Sequence, residues 1–340
     1  WGQFRRGFVD AVSVSSAKNF VQKGGRIAAT VPLLGLSLTD RNEFAACGRS
    51  PVFNQIRRLQ IAHGRGFTGA HTRELLALAN CPRLAHLDLA TEAIDDEGAA
   101  AIATCPNLAA LTDLRLSENR MSDVGLTALA QSPHLSNLRA LRVDYQFAVR
   151  APGVRALAES PNVAGLRELN LGYCGGPDGA RALATSKFLT KLEDLTVLDS
   201  VVESLETVVN SPNVAGLIRL RITARGAKAV AASPHMRNLR ELEFIQHATD
   251  DDAVALANSP HLANLRRLNL SSHIISDKGA KALAESPYLG GLCEGWLFLG
   301  STSNLTKDVV SALLNRFGHH PAHMPAPGGF PSLPENVRFS

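Results

Sequence analysis

Three groups of residues have types and spacings that could do chemistry. Gly64, Gly66 and Gly69 spell GxGxxG after the apolar run Leu59–Ile61 and before a helical stretch, and Asp88 follows 19 residues on. That pattern lets a backbone approach a pyrophosphate while the acid holds a ribose, the chemistry of dinucleotide binding. Gly69 nevertheless recurs as Gly98, Gly125, Gly153, Gly179 and Gly279. A longer period therefore accounts for it, and no cofactor is expected. His319, His320 and His323 are potential metal ligands, but Pro321 and Pro325 surround them and no rigid shell holds them. No metal is expected there. Cys81 and Cys105 stand 24 residues apart in a slot that elsewhere holds Ser before Pro. They read as two small buried thiols in a reducing compartment, and whether they are bridged is left open. Cys47 and Cys293 have no partner in that frame. No Ser, His and Asp arrangement marks a nucleophile, so no catalytic residue is assigned.

The elements that must position such residues follow from composition and period. The chain has 340 residues, among them 48 Leu and 47 Ala, with 45% hydrophobic, 5% aromatic and 19% charged residues. That hydrophobic content excludes a disordered chain. No stretch approaches the ~18 uninterrupted apolar residues of a membrane span. The net charge of +4 lacks the concentrated basic face that nucleic acid demands. Residues 1–20 carry Arg5, Arg6, Asp10 and Lys18 with no apolar core of a secretory signal, so a cytoplasmic location is expected. The chain begins at Trp1 rather than Met, which reads as a piece of a longer protein.

An L-x-L pair recurs along the chain. Its first residues are Val12, Leu36, Leu59, Leu87, Leu114, Leu141, Leu169, Leu195, Leu220, Leu242 and Leu268, and a further step of 27 lands on Gly295, where the pattern degrades. The alternation predicts a short strand with one buried face. Each pair leads through the recurring Gly into a run with apolar residues three and four apart, as in Val124, Leu126 and Leu129, which predicts a helix of two or three turns. Phrases such as Leu129-Ala-Gln-Ser-Pro133 and Leu256-Ala-Asn-Ser-Pro260 then stop it, because the residue before Pro is pushed out of helical geometry. One such unit cannot bury its own apolar face, whereas stacked units share a continuous core.

In these residues the sequence resembles the leucine-rich-repeat family, and within it the ribonuclease-inhibitor-like subclass. The Ser-Pro-His/Asn-Leu phrasing and Arg6-Gly7-Phe8-Val9 also look like the planctomycete-type bacterial repeat-companion paralogues. The resemblance implies an α/β solenoid, a horseshoe with a parallel concave sheet and convex helices, of about 11–12 repeats. It also implies a buried Asn/Cys ladder. Asn119 and Cys174 fit that ladder, while Glu92, Gln146, Ser200, His247 and His273 depart from it.

The expected organisation is a capping repeat over 1–30, repeats over 31–300, a capping helix over 301–317 with Val309, Val310, Leu313 and Leu314 facing inward, and a Pro/Gly-rich tail over 318–340. Side chains flanking the ladder leucines point off the concave face, because strand side chains alternate. Two of the chain's three tyrosines, Tyr145 and Tyr173, count to the same slot of adjacent repeats. With Arg115, Glu118, Arg142, Asp144, Asn170 and Asp199 they form the expected protein-binding patch, since Tyr and Arg dominate binding hot spots. The expectation is a monomeric, non-catalytic scaffold for a protein partner, binding neither nucleic acid nor membrane. The alternative is the recognition arm of a larger enzyme or regulatory protein whose active domain precedes Trp1.

Overall fold

The computed structural model describes residues 2–5, 8–14, 22, 25–26, 34–39, 50–62, 66–78, 80–146, 148–173, 175–199, 201–245, 248–270, 275–293, 295–299 and 305–318. One compact unit ends at Leu166 and a second begins at Arg167.

The first unit holds strands β1 Gly2–Arg5, β2 Phe8–Val14, β3 Gly35–Leu38, β4 Arg58–Ile61, β5 His86–Asp88, β6 Asp113–Arg115 and β7 Ala140–Arg142. From β2 to β7 they pair in parallel and in chain order, with Val12, Leu36, Leu59, Leu87, Leu114 and Leu141 in register. β1 instead pairs antiparallel with β2. It lies ahead of the first repeat, and no ladder leucine announces it. The helices are α1 Gly69–Leu78, α2 Asp96–Thr104, α3 Asp123–Gln131 and α4 Ala151–Ala158.

The second unit holds β8 Glu168–Gly172, β9 Asp194–Val197, β10 Arg219–Thr223, β11 Glu241–Ile245, β12 Arg267–Asn269 and β13 Trp296–Phe298, again parallel and in chain order. Its helices are α5 Gly176–Ala184, α6 Val202–Val209, α7 Ala227–Ala232, α8 Asp250–Ala257, α9 Asp277–Glu285 and α10 Lys307–Phe317. The last ladder residue is Leu297, in register with Leu268, and not Gly295. Gly295 sits just before the strand, where a Cβ would meet the Arg266 carbonyl oxygen at 1.8 Å. In α10, Leu313 and Phe317 are buried and Val309 and Val310 half-buried, but Leu314 is 37% exposed. Leu314 thus faces outward, against the expectation, because Phe317 takes the next inward turn after Leu313.

Each repeat buries its ladder leucine and the apolar residue two positions on, as in Leu114 with Leu116 and Leu242 with Phe244. The helix layer closes on the same side. The Ser-Pro step works as predicted and does more. Ser132 is extended (φ −67°, ψ 122°), ends α3 and opens the 3-10 turn Pro133–Leu135, whose His134 N–H its hydroxyl accepts. The same hydroxyls donate to the helix of the preceding repeat, as from Ser233 to the Val209 carbonyl and from Ser259 to the Ala231 carbonyl, both at 2.6 Å.

A second set of bonds joins repeats within the first unit. Asn119 accepts the Ile94 N–H and donates to the Leu89 carbonyl. Gln146 takes the same role toward Met121 N–H and the Leu116 carbonyl. Glu92, 1% exposed, accepts the Phe67 N–H. The departures from Asn at Glu92 and Gln146 therefore keep the ladder, because each supplies a carbonyl or carboxylate oxygen to the same kind of N–H. Cys174, Ser200, His247 and His273 lie outside the described residues. Among the described residues no helix is long and apolar enough to cross a membrane.

Candidate functional site

Strand alternation leaves two rows of side chains on the helix-free face of each unit's strands, one before and one after the ladder leucine. In the first unit these rows interlock. His86 Nδ1 lies 3.0 Å from Asp113, which also accepts the Thr112 hydroxyl at 2.7 Å. Burial pushes the Asp113 carboxyl up, but the His86 and Thr112 hydrogen bonds and the nearby Arg142 charge outweigh it and hold the group below its usual range. Arg115 reaches to 3.6 Å from Asp88 and is half exposed. Ser117 donates to Asp144.

Three turns that follow strands share an unusual backbone. Thr91, Glu118 and Tyr145 have φ of 63°, 57° and 57°. They are spaced by 27 residues, and all three side chains are exposed. This left-handed region costs non-glycine residues of order 1–3 kcal/mol, most for a β-branched one, and such residues cluster at ligand-binding sites. Tyr145 is 41% exposed.

In the second unit the positive φ of 64° falls on Gly172, not on Tyr173, because β8 carries a register shift between Asn170 and Gly172. Tyr145 and Tyr173 therefore do not occupy equivalent backbone positions, as counting from the ladder leucines suggested. Tyr173 is 46% exposed. Asn170 is half-buried, and its side-chain oxygen accepts the Gly172 N–H and so holds this bulge. Asp199 also differs from expectation. It is 5% exposed, and its carboxylate accepts the N–H groups of Gly176 and Val201. Asp199 thus ties its own turn to the start of α5 in the preceding repeat. Arg142 and Asp144 are half-buried, whereas Arg115 and Glu118 stand out.

The remaining face of the second unit is a ladder of opposite charges. Arg219 pairs with Asp194 at 2.7 Å, Arg221 with Glu243 at 2.7 Å and Arg267 with Glu241 at 2.9 Å. Burial pushes the Glu241 and Glu243 carboxyls up, and Arg267, Arg219 and Arg221 only partly restore them. On β13 the rows end in Trp296 and Phe298. Sequence reasoning missed both, because a 27-residue step placed the last repeat on Gly295. The Trp-Leu-Phe alternation around Leu297 was the signal that could have found them.

Of the chemical candidates, the described residues include Gly69, Cys81 and Cys105. His63, Gly64 and Arg65 lie outside the described residues, as do His319, His320 and His323. A Cβ on Gly69 would fall 2.0 Å from Asp95 Oδ1, so the neighbouring repeat alone demands glycine there. Cys81 and Cys105 are buried free thiols, and burial pushes Cys81 up to about 12. Cys105 forms no side-chain cap, unlike the Ser residues of its slot.

The Leucine Rich repeat family model matches residues 109–130 and 261–284. The fold is a leucine-rich-repeat solenoid. Similar solved structures include a chain of the Rad7 and Elc1 complex in yeast, 14% identical, with TM-score 0.44 and 86% of each chain covered. Another is an internalin (inlF) from Listeria monocytogenes str. 4b F2365, 18% identical, with TM-score 0.39, covering 83% of this chain and 78% of that one. No curated protein sequence matches the chain.

Proposed function

We propose that the chain is a non-catalytic scaffold that binds a protein partner through the helix-free side of its repeats. The observation that carries this reading is the line of Thr91, Glu118 and Tyr145. Three consecutive repeats hold exposed side chains on a backbone that glycine would adopt without strain. Retaining Tyr there, beside Arg115 and Arg142, trades stability for display of the types that dominate binding energy. A rigid repeat stack orders these groups in advance, so little entropy is lost on binding.

The finer reading is a ribonuclease-inhibitor-like repeat, supported by a helix in successive repeats, of the planctomycete-type bacterial kind. It works as a cytoplasmic monomer. Nucleic acid is disfavoured, because Arg219 and Arg221 stand among Asp194, Glu241 and Glu243, and a phosphate backbone seeks uninterrupted positive charge.

The test is crosslinking and mass spectrometry from native cells, comparing the chain with Tyr145→Gly and with Tyr145→Ala/Tyr173→Ala. Tyr145→Gly is expected to fold at least as stably yet lose its partner. Partners that stay bound to both variants sink the proposed patch.

A further inference from the structure

The strand that the repeat count misplaced, β13, ends the second unit's face differently from the strands before it. Leu297 is buried in the ladder, so Trp296 and Phe298 on either side of it point to the helix-free face, and both are half-exposed. Trp296 continues the row of Asp194, Arg219, Glu241 and Arg267, and Phe298 continues the row of Glu243 and Asn269. The Arg267 guanidinium reaches over the indole, 5.8 Å from the ring centroid, and holds Glu241 with its other edge.

We propose that Trp296 and Phe298 form the anchor site for an uncharged, apolar side chain on a segment of the protein partner. This rests on the scaffold reading above and adds where and what the partner contributes. The charge pattern selects the occupant. On the strand beside the two rings, Arg267 already holds Glu241 and Asn269 already donates to Glu243, which Arg221 also holds. A charged anchor would lose hydration and find its counter-charge engaged, which like-charge contacts make worse. An aliphatic or aromatic anchor loses nothing and covers the indole, whose free orientation Arg267 has already restricted. Large flat apolar area beside an arginine is the usual composition of a hot spot.

The chain has two tryptophans, Trp1 and Trp296, so Trp1→Phe leaves Trp296 as the sole indole reporter. Phage-displayed random peptides are selected on the full chain, and the winning peptides are synthesised and titrated against Trp1→Phe. The expected result is a consensus with an uncharged apolar anchor, a blue shift of Trp296 emission on binding, and about a tenfold or greater loss of affinity in Phe298→Ser. Trp296→Phe, which keeps an aromatic surface, should retain most binding, and circular dichroism confirms that both variants keep their helices. A consensus dominated by Lys, Arg, Asp or Glu overturns the proposal. So does failure to select any peptide, or winners that neither shift Trp296 nor respond to Phe298→Ser. Native partners that survive Phe298→Ser but are lost in Tyr145→Ala keep the scaffold and discard the anchor. Partners that survive both variants discard the two together.

Discussion

The Asp96 carboxylate, in the first turn of α2, accepts the backbone N–H of Gly125 in the first turn of α3 at 2.9 Å. It also accepts the Ser122 N–H and hydroxyl. One acid thus caps the helix of the following repeat, and Asp123 and Asp250 repeat the device toward Gly153 and Gly279. Asp96→Ala should cost about 2–3 kcal/mol by orphaning these donors at a helix N-terminus. Gly125→Ala should cost a similar amount, about 1–3 kcal/mol, because its Cβ would lie 2.3 Å from Met121 Cγ and 2.6 Å from Asp96 Oδ1. Urea unfolding by circular dichroism measures both. A change below experimental error in either variant contradicts the capping role.

Asn119→Ala should be more damaging, at about 3 kcal/mol. It leaves the Ile94 N–H and Leu89 carbonyl buried without their partner. Amide hydrogen exchange should show the loss concentrated at Ile94 and its neighbours, since repeat proteins are stabilised by nearest-neighbour terms. Loss spread evenly over the first unit would contradict this.

Ser204 offers the opposite case. It is fully buried in α6, and its hydroxyl has no hydrogen-bond partner. Ser204→Ala should stabilise the second unit by about 1 kcal/mol by removing an unsatisfied donor and acceptor. A lower thermal midpoint for the variant would contradict the assignment. Ser204 is third in its helix, the position of Gly98, Gly125 and Gly279 in theirs.

Glu241 and Glu243 should respond to pH oppositely to Asp113. Glu241 and Glu243 have raised folded-state pKa values, so these two carboxyls hold more protons in the folded state than in the unfolded chain between the ordinary glutamate value and the raised one. Their contribution to stability therefore falls as pH rises through that window. Asp113 is shifted down, so its contribution is present above the ordinary aspartate value and is lost as pH falls through its folded pKa. NMR titration of the side-chain carboxyls checks both directions. A midpoint for Glu241 or Glu243 at or below that of an unfolded peptide would reverse the sign.

The thiols should separate by reactivity. Cys293 is exposed, whereas Cys81 and Cys105 are buried with raised pKa values, and the thiolate is the reactive form. Native-state alkylation followed by peptide mapping should label Cys293 first, and Cys81 and Cys105 only on unfolding. Early labelling of Cys81 would contradict its burial.

Much of this was legible in the sequence because the fold reuses one rule. The ladder leucines from Leu36 to Leu268, the glycine at the helix start and the Ser-Pro stop are local, periodic and forced by packing. What escaped was set by geometry that counting does not carry. A bulge at Gly172 moved Tyr173 out of the slot of Tyr145. The last step runs to Leu297 rather than to Gly295, which hid Trp296 and Phe298. Asp199 looks like a surface acid in a strand frame, yet it accepts N–H groups from its own turn and from the start of α5. The antiparallel β1 has no repeat to announce it.

The Ser bonds between repeats run one way in register, each hydroxyl donating to the helix of the repeat before it. A cut and rejoining at equivalent points, such as Ser132 and Ser160, would therefore return the serine hydroxyl to a helix carbonyl of the same kind. A repeat inserted at such a point keeps this bond on both of its sides. A duplication of DNA that spans one period is then structurally close to silent, while one that breaks the period is not.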